Sequence, residues 1–384
     1  MEYTKLKYIN QYKSESINPA KTPDTVFELY SVPVYETGHP EYLRGDEIAS
    51  NKAIVRKNDV LLCKINPRIN RVWIVSDESD KKNIASSEWI VIRNNEYNPE
   101  FLAWYFRSNK FQRLMTSEVT GIGGSLTRAQ PKCVAEYPVP ILDREKQDKI
   151  VDILNRCKYV IEARKQEITA LDNLVKARFV EMFGDPVANE MGWDTLPLEN
   201  ACKAIVDCPH STPSYTKEDT GFRCIRTSIV KKNRILWDEI EYIPEDEYVK
   251  RIQRKKPDVG DIVYTREGAI LGIAAIIDRN CNVALGQRSM LLSPNIDKCA
   301  SEFLCVAMNS DSFLDNALKG VSGSASPHIN VGDIKAFRMI MPPIELQNQF
   351  SDFTQAIDKS KVAVQKALDK AQLLFDSLMQ QYFG

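Results

Sequence analysis

The 384 residues include only three histidines, His39, His210 and His328, and nine cysteines with no Cys-x-x-Cys pair among them. A zinc site needs several thiolate or imidazole ligands at short spacing. The nearest approach is Cys202, Cys208 and His210, and no metal is expected there. An odd number of scattered cysteines fits reduced thiols better than a disulfide framework. No apolar run approaches the roughly 18 residues of a membrane helix. The first residues, Met1 to Lys7, carry no apolar segment ahead of a small-residue cleavage site, so the cytoplasm is the expected compartment and no membrane partner is expected.

An excess of either charge is missing as well: 51 basic residues face 52 acidic ones. Residues 1–142 hold 19 basic and 17 acidic side chains, and residues 185–344 hold 19 and 22. With no polycationic tail, any DNA binding has to come from placed residues or from a partner. Catalytic motifs are lacking too. There is no Gly-x-x-x-x-Gly-Lys-[Ser/Thr] loop and no Gly-x-Ser-x-Gly elbow, and the glycine loops at 121–125 and 320–324 have no lysine. Asn98-Pro99-Glu100-Phe101 lacks the second proline of the Asn-Pro-Pro-aromatic motif of amino-methyltransferases, and Pro257-Asp258 has no acidic-x-Lys element close behind it. No catalytic residue can be named, and a non-catalytic role is expected.

What the sequence does have is an internal repeat. Residues 143–184 and 343–384 share a pattern at an offset of 200, and both end in Phe-Gly. Ile150, Ile153, Cys157, Ile168, Leu171, Leu174, Val175 and Met182 recur as Phe350, Phe353, Ile357, Leu368, Ala371, Leu374, Phe375 and Tyr382. Steps of three and four over such a length predict a long helix with a coiled-coil-like seam in each half, about 60 Å at 1.5 Å per residue. Each stripe could pack on its own domain or on the other stripe, antiparallel, as a spacer. Long seams usually take a helical partner, which favours the second arrangement and puts Ile150, Ile153, Ile168, Leu171, Leu174, Phe350, Phe353, Ile357, Leu368 and Leu374 at a helix or subunit interface. Gly184, followed by Pro186, stands where a helix-ending glycine is expected.

Upstream the repeat is weaker. Asn58-Asp59-Val60-Leu61-Leu62 answers Gly260-Asp261-Ile262-Val263-Tyr264, and Glu100-Phe101-Leu102 answers Glu302-Phe303-Leu304. The order is therefore a mixed α/β domain (1–142), a helix (143–184), a second mixed domain (185–342) and a second helix (343–384). Between the domain starts and the first matching strand, the halves diverge almost completely.

Candidate binding residues lie in loops. Lys64, Asn66, Arg68, Asn70 and Arg71 concentrate cations and amides between two strands, a composition suited to phosphates and base edges, or to a solvated hairpin. In the second half Arg266 occupies the matching loop and Arg223, Arg226 and Thr227 lie upstream; these arginines could reach DNA or pair with nearby acids. Ser125, Thr127 and Arg128 in one glycine-serine loop, and Ser324 and His328 in the other, could face phosphate or form turns.

Residues 171–186, from Leu171-Asp172-Asn173-Leu174 to Phe183-Gly184-Asp185-Pro186, and the run Pro342-Pro343-Ile344-Glu345-Leu346-Gln347-Asn348-Gln349-Phe350 carry a family likeness. Together with the repeat they resemble a specificity subunit of a type I restriction-modification system, over essentially the whole chain. The resemblance implies two target-recognition domains in pseudo-two-fold repeat, separated by two long antiparallel helices. Each domain would read half of an asymmetric, split sequence in double-stranded DNA. It also implies two modification subunits that bring S-adenosylmethionine, with restriction subunits joining them, and no cofactor in this chain. A coiled-coil scaffold whose domains bind proteins is the alternative, and it leaves the Lys/Asn/Arg loop unexplained.

Overall fold

The computed structural model describes every residue except Met1, Asp77, Glu118, 121–126, Gly320 and 322–326. The chain divides into two compact units, Met1–Arg164 with Ala367–Gly384, and Lys165–Lys366. Each unit is mixed α/β and takes part of both long helices.

In the first unit the strand Val60–Cys63 lies between Val72–Ile74 and Trp89–Ile92, antiparallel to both, with Leu61 opposite Trp73 and Val91. All four of its residues are buried, as a strand covered on both faces requires. One face packs on the helix Pro99–Arg107, which the Asn98 side chain caps by accepting from the Glu100 and Phe101 N–H groups. A five-stranded sheet stands beside it, in which Val26–Tyr30 runs parallel to Lys82–Ala85 and antiparallel to Glu41–Arg44.

The second unit repeats the plan. Ile262–Thr265 is flanked by Ala274–Ile276 and Ser289–Pro294, and Cys202–Asp207 extends that sheet. Arg223–Ile225 runs parallel to Val283–Leu285 and antiparallel to Glu241–Tyr242, the trio already met in the first unit. The stretch in which the two halves lose sequence similarity thus retains strand pairing. Backbone hydrogen bonds tolerate any side chain, so the pairing can outlast the sequence.

Turn geometry repeats as well. Asn58 and Gly260 both have positive φ, +70° and +90°, and each donates its N–H across the sheet, to Val75 and to Ile277. One residue on, the Asp59 and Asp261 carboxylates accept from the Arg56 and Asp258 N–H groups.

The long helices span Arg144–Phe183 and Ile344–Phe383. Gly184 ends the first with φ +73°, and its N–H donates to the Val180 carbonyl. Their covered residues follow one heptad rhythm. Positions 147, 150, 154, 157, 161, 164, 168, 171, 175, 178 and 182 are buried or half-buried, and so are the same positions 200 residues later. Ile150, Ile168, Leu171, Phe350, Ile357 and Leu368 lie on that seam, and Phe353 packs beside it against the second unit's core. Ile153, Leu174 and Leu374 lie off the seam and are exposed, because a strict alternation of three and four passes through Leu154, Val175 and Phe375 instead.

In the first unit Ile150, Val151 and Leu154 share a core with Phe375, Leu378, Tyr382 and Phe383, so the start of one helix packs on the end of the other. In the second, Phe179 and Phe183 meet Phe350 at 5.5 Å between ring centroids, and Asp172 pairs with Lys361 at 2.7 Å. Both contacts are those of antiparallel helices. A fully buried glutamine tethers each helix start to its unit. Gln147 accepts from the Asn98 N–H and donates to the Leu142 carbonyl; Gln347 accepts from the Ala300 N–H and donates to the Pro342 carbonyl. Among the described residues, no helix is long and apolar enough to cross a membrane.

Candidate nucleic-acid interface

At one end of the central sheet of each unit, three chain segments are locked together by backbone hydrogen bonds. In the first unit the Lys64 N–H donates to the Glu88 carbonyl (3.0 Å), the Ala129 N–H to the Lys64 carbonyl (2.9 Å) and the Asn66 N–H to the Thr127 carbonyl (2.8 Å). In the second, Arg266 donates to Arg288 (3.1 Å), Ile329 to Arg266 (2.9 Å) and Gly268 to Pro327 (3.0 Å). Lys64 therefore corresponds to Arg266, Asn66 to Gly268, Glu88 to Arg288 and Arg128 to His328. The chain reverses at the second pair, where Asn66 has φ +44° and Gly268 φ +94°, a region open to asparagine and glycine.

This frame collects many of the residues expected to bind. In the first unit Lys64 and Asn66 are half-buried within it and Arg68 stands exposed beyond it. Arg128 is exposed and pairs with Glu88 at 3.3 Å, while Thr127 is buried and contributes its carbonyl. Asn70 and Arg71 turn away. The Asn70 amide donates to the Phe106 carbonyl, and the largely covered Arg71 lies 3.8 Å from Glu36.

In the second unit Arg226 pairs with Glu241 at 3.0 Å and lies over the Tyr215 ring. Arg223 lies over Tyr242, and Thr227 opens the short helix Thr227–Ile229. The Gly286 N–H donates to the Ile225 carbonyl and so holds the Arg226 segment against the frame. His328 is half-buried and its backbone bridges to Glu267. Ser125 and Ser324 lie outside the described residues.

Arg266 does not project from the loop. Its Nε and Nη2 meet the two Asp207 oxygens at 2.9 and 3.2 Å, with side-chain exposures of 8% and 17%. The guanidinium thus ties the end of the strand Cys202–Asp207 to the loop beyond Ile262–Thr265. His210 Nε2 approaches the same carboxylate at 3.0 Å, but that side chain is 63% exposed.

Three residues of this surface escape the sequence reading. Gln287 accepts at Oε1 from the Thr212 hydroxyl at 3.0 Å. Arg288 holds φ +74°, unusual for a long side chain, and leaves its guanidinium half-exposed 3.9 Å from Glu267. His210, weighed in the sequence only as a metal ligand beside Cys202 and Cys208, is the third. The available signal was position: Gln287-Arg288 precedes the buried strand Ser289–Pro294, as Ser87-Glu88 precedes Trp89–Ile92.

Among the described residues no three His, Cys, Asp or Glu side chains gather as a metal site. Burial pushes the Cys208 thiol up, and its sulfur accepts from the Ser289 N–H, the behaviour of a core thiol rather than a thiolate ligand.

Residues 192–373 match the family model described as the type I restriction modification DNA specificity domain. The chain is 23% identical to the type I restriction enzyme MjaVIII specificity subunit of Methanocaldococcus jannaschii, an alignment covering 95% of this chain and 88% of that protein. Over 35% of the chain and 29% of the relative it is 27% identical to the type I restriction enzyme HindI specificity subunit of Haemophilus influenzae. Among solved structures, a chain from a study of type I R-M complex assembly and conformational transition aligns with all of this chain and 97% of itself, at a TM-score of 0.59 and 21% identity. The type I restriction-modification S subunit from M. genitalium aligns with all of this chain and 96% of itself, at 0.56 and 13%.

Proposed function

The chain belongs to the specificity subunits of type I restriction-modification systems, and from that premise we propose that each of its two units reads one half of an asymmetric, split DNA target. The observation that carries this reading is the duplicated frame. Two backbones with the same hydrogen bonds present different side chains, Lys64, Asn66, Glu88 and Arg128 in one unit and Arg266, Gly268, Arg288 and His328 in the other. Sequence is read by side chains on base edges, so one scaffold with unlike side chains suits two unlike half-sites.

Domain boundaries near residues 142, 184 and 342 follow, with the helices setting the unread gap between half-sites. Arg68, Arg128, Arg223 and Arg226 would contact phosphate or base edges, and the ion pairs of Arg128 with Glu88, Arg223 with Asp219 and Arg226 with Glu241 would be exchanged on binding. Two modification subunits would dock on the helices, where Ile153, Val160 and Leu174 are exposed at heptad spacing in the first helix and Leu374 in the second. Those subunits would bring S-adenosylmethionine and flip out the target adenine, and restriction subunits would join them. This chain would do no chemistry and would work in the cytoplasm.

Residues 185–344 have fewer basic than acidic side chains, so phosphate contacts from the modification subunits would supply much of the affinity. Co-expression with modification subunits, followed by genome-wide mapping of methylated adenines, tests the reading. A split motif that requires this chain is expected. A stable complex without chain-dependent methylation would favour a scaffold instead, and tight duplex binding by the isolated chain in moderate salt would refute the shared-affinity argument.

A further inference from the structure

The geometry points to His210, Gln287 and Arg288 as the residues that choose the bases read by the second unit, with Asp207 and Arg266 as positioning residues beneath them. This inference rests on the reading of that unit as a DNA-sequence reader.

Burial and pairing separate the two groups. Arg266 and Asp207 are covered and joined by two hydrogen bonds, so breaking them to reach a base would strand a charge in the interior. His210, Gln287 and Arg288 sit around that pair, tied to it or to its neighbours by contacts that leave the His210 and Arg288 side chains 63% and 48% exposed. His210 touches Asp207 and Arg266, Gln287 touches Thr212, and the Arg288 C=O lies in the frame while its half-exposed side chain passes Gly268.

Gly268 is there for its backbone: φ +94° favours glycine, while a Cβ would make only an ordinary 3.6 Å contact with the Arg288 guanidinium. The Arg288 backbone is itself held at φ +74°, where a long side chain rarely settles. Unfavourable backbone at an exposed position is more often kept for a ligand than for packing. The 3.9 Å approach to Glu267 is loose and half-exposed, so this arginine can leave it for a base edge at little loss.

The chemistry of the three is complementary. An arginine can donate two hydrogen bonds to guanine O6 and N7, a glutamine amide can pair with adenine N6 and N7, and histidine offers a donor or acceptor according to its tautomer. Thr212 orients Gln287 by donating to its oxygen, and Asp207 orients His210.

The test uses the complex with modification subunits and genome-wide methylation mapping, for the unaltered chain and for Arg288→Asn, Gln287→Ala and His210→Ala. Asparagine tolerates positive φ, so the first variant removes the guanidinium without disturbing the turn. Each variant should still co-purify with its partners and leave one half of the split motif unchanged. In the other half it should relax or shift a base preference, with discrimination at that position falling about tenfold. Unchanged motifs in all three variants would overturn the inference while leaving the DNA-reading function in place. A uniform fall in methylation at every site, with no change in base preference, would overturn it in favour of phosphate contact. If the unaltered chain directs no motif at all, the functional reading itself fails and this inference falls with it.

Discussion

Replacing Asp207 by alanine should destabilise the second unit by about 3–5 kcal/mol, a cost set by the charge it leaves behind. Arg266 meets that carboxylate through two hydrogen bonds, 2.9 and 3.2 Å, and its side chain is 8% exposed. At an effective dielectric near 20, opposite unit charges about 4 Å apart attract by roughly 4 kcal/mol, and desolvating both ions offsets much of that. The intact pair is therefore worth little net, whereas a lone buried guanidinium keeps its desolvation cost with nothing to balance it. Removing the other partner should be milder. Arg266→Ala leaves Asp207 at 17% exposure with His210 still 3.0 Å away, a loss of about 2–3 kcal/mol. The double variant should then cost less than the two singles added together, by at least about 1 kcal/mol. Denaturant unfolding with hydrogen exchange of residues 262–265 and 289–294 isolates the opening of this unit. Additive losses, or less than about 1 kcal/mol for Asp207→Ala, would refute the claim that the pair is a desolvated tie.

Arg288→Gly should stabilise the same unit by about 1 kcal/mol, because glycine adopts φ +74° freely and the pairing with Glu267 given up is loose; the upper thermal transition of the purified chain checks this. Gln347→Ala should cost about 1–3 kcal/mol by leaving the Ala300 N–H and the Pro342 carbonyl unpaired, with faster exchange of the Ala300 amide as the site-specific readout. Phe350→Ala removes a ring fully buried among Phe179, Phe183 and Phe353 and should cost about 3–5 kcal/mol, while exposed Leu374→Ala should change stability by less than about 0.5 kcal/mol; equal losses in urea unfolding would contradict the seam. Burial pushes the Cys202 and Cys224 thiols up to about 12, from an ordinary value of 9.0. A raised folded pKa gives stability that is complete below the unfolded value, so unfolding midpoints should fall as pH rises above about 9, and both thiols should resist alkylation at pH 8.

The helices were the legible part of the sequence. A 200-residue offset and a three-four rhythm need only apolar periodicity, which helix geometry imposes whatever the neighbouring domain contains. Even so, periodicity alone chose Ile153 and Leu174, because it counts any apolar residue; the seam runs one residue on, through Leu154 and Val175, and also takes in polar or charged positions such as Gln147, Arg164 and Thr354, which are buried or half-buried. The strand Arg223–Ile225 and its first-unit counterpart Val26–Tyr30 show the opposite failure. Their pairing is shared through backbone hydrogen bonds and leaves no mark in a residue-by-residue comparison. At the binding loops, Lys64, Arg128 and Arg266 could be placed by repeat position, but not which of them would be buried. Arg266 is held by Asp207, 59 residues away, and a partner at that separation has no local signature.

The duplicated frame also explains how two readers diverge without losing their fold. In the first unit the frame position before the buried strand is acidic, Glu88, and its partner Arg128 comes from the third segment. In the second unit that position is Arg288, and the acid, Glu267, comes from the segment that follows the central strand. The charge at equivalent backbone positions is reversed, while every backbone hydrogen bond of the frame is kept. Side chains that project from such a frame can be exchanged at little cost to stability, because the backbone bonds and the buried strands beneath hold the loop in place. An exchange that turned Glu88 into arginine would bring it beside Arg128, two cations with no acid between them in the free chain. Glu88→Arg should therefore loosen the 127–129 segment, seen as faster exchange of the Ala129 amide, and the combined change Glu88→Arg with Arg128→Glu should restore it. Equal exchange in the single and double variants would show that the frame holds the segment without help from the pair.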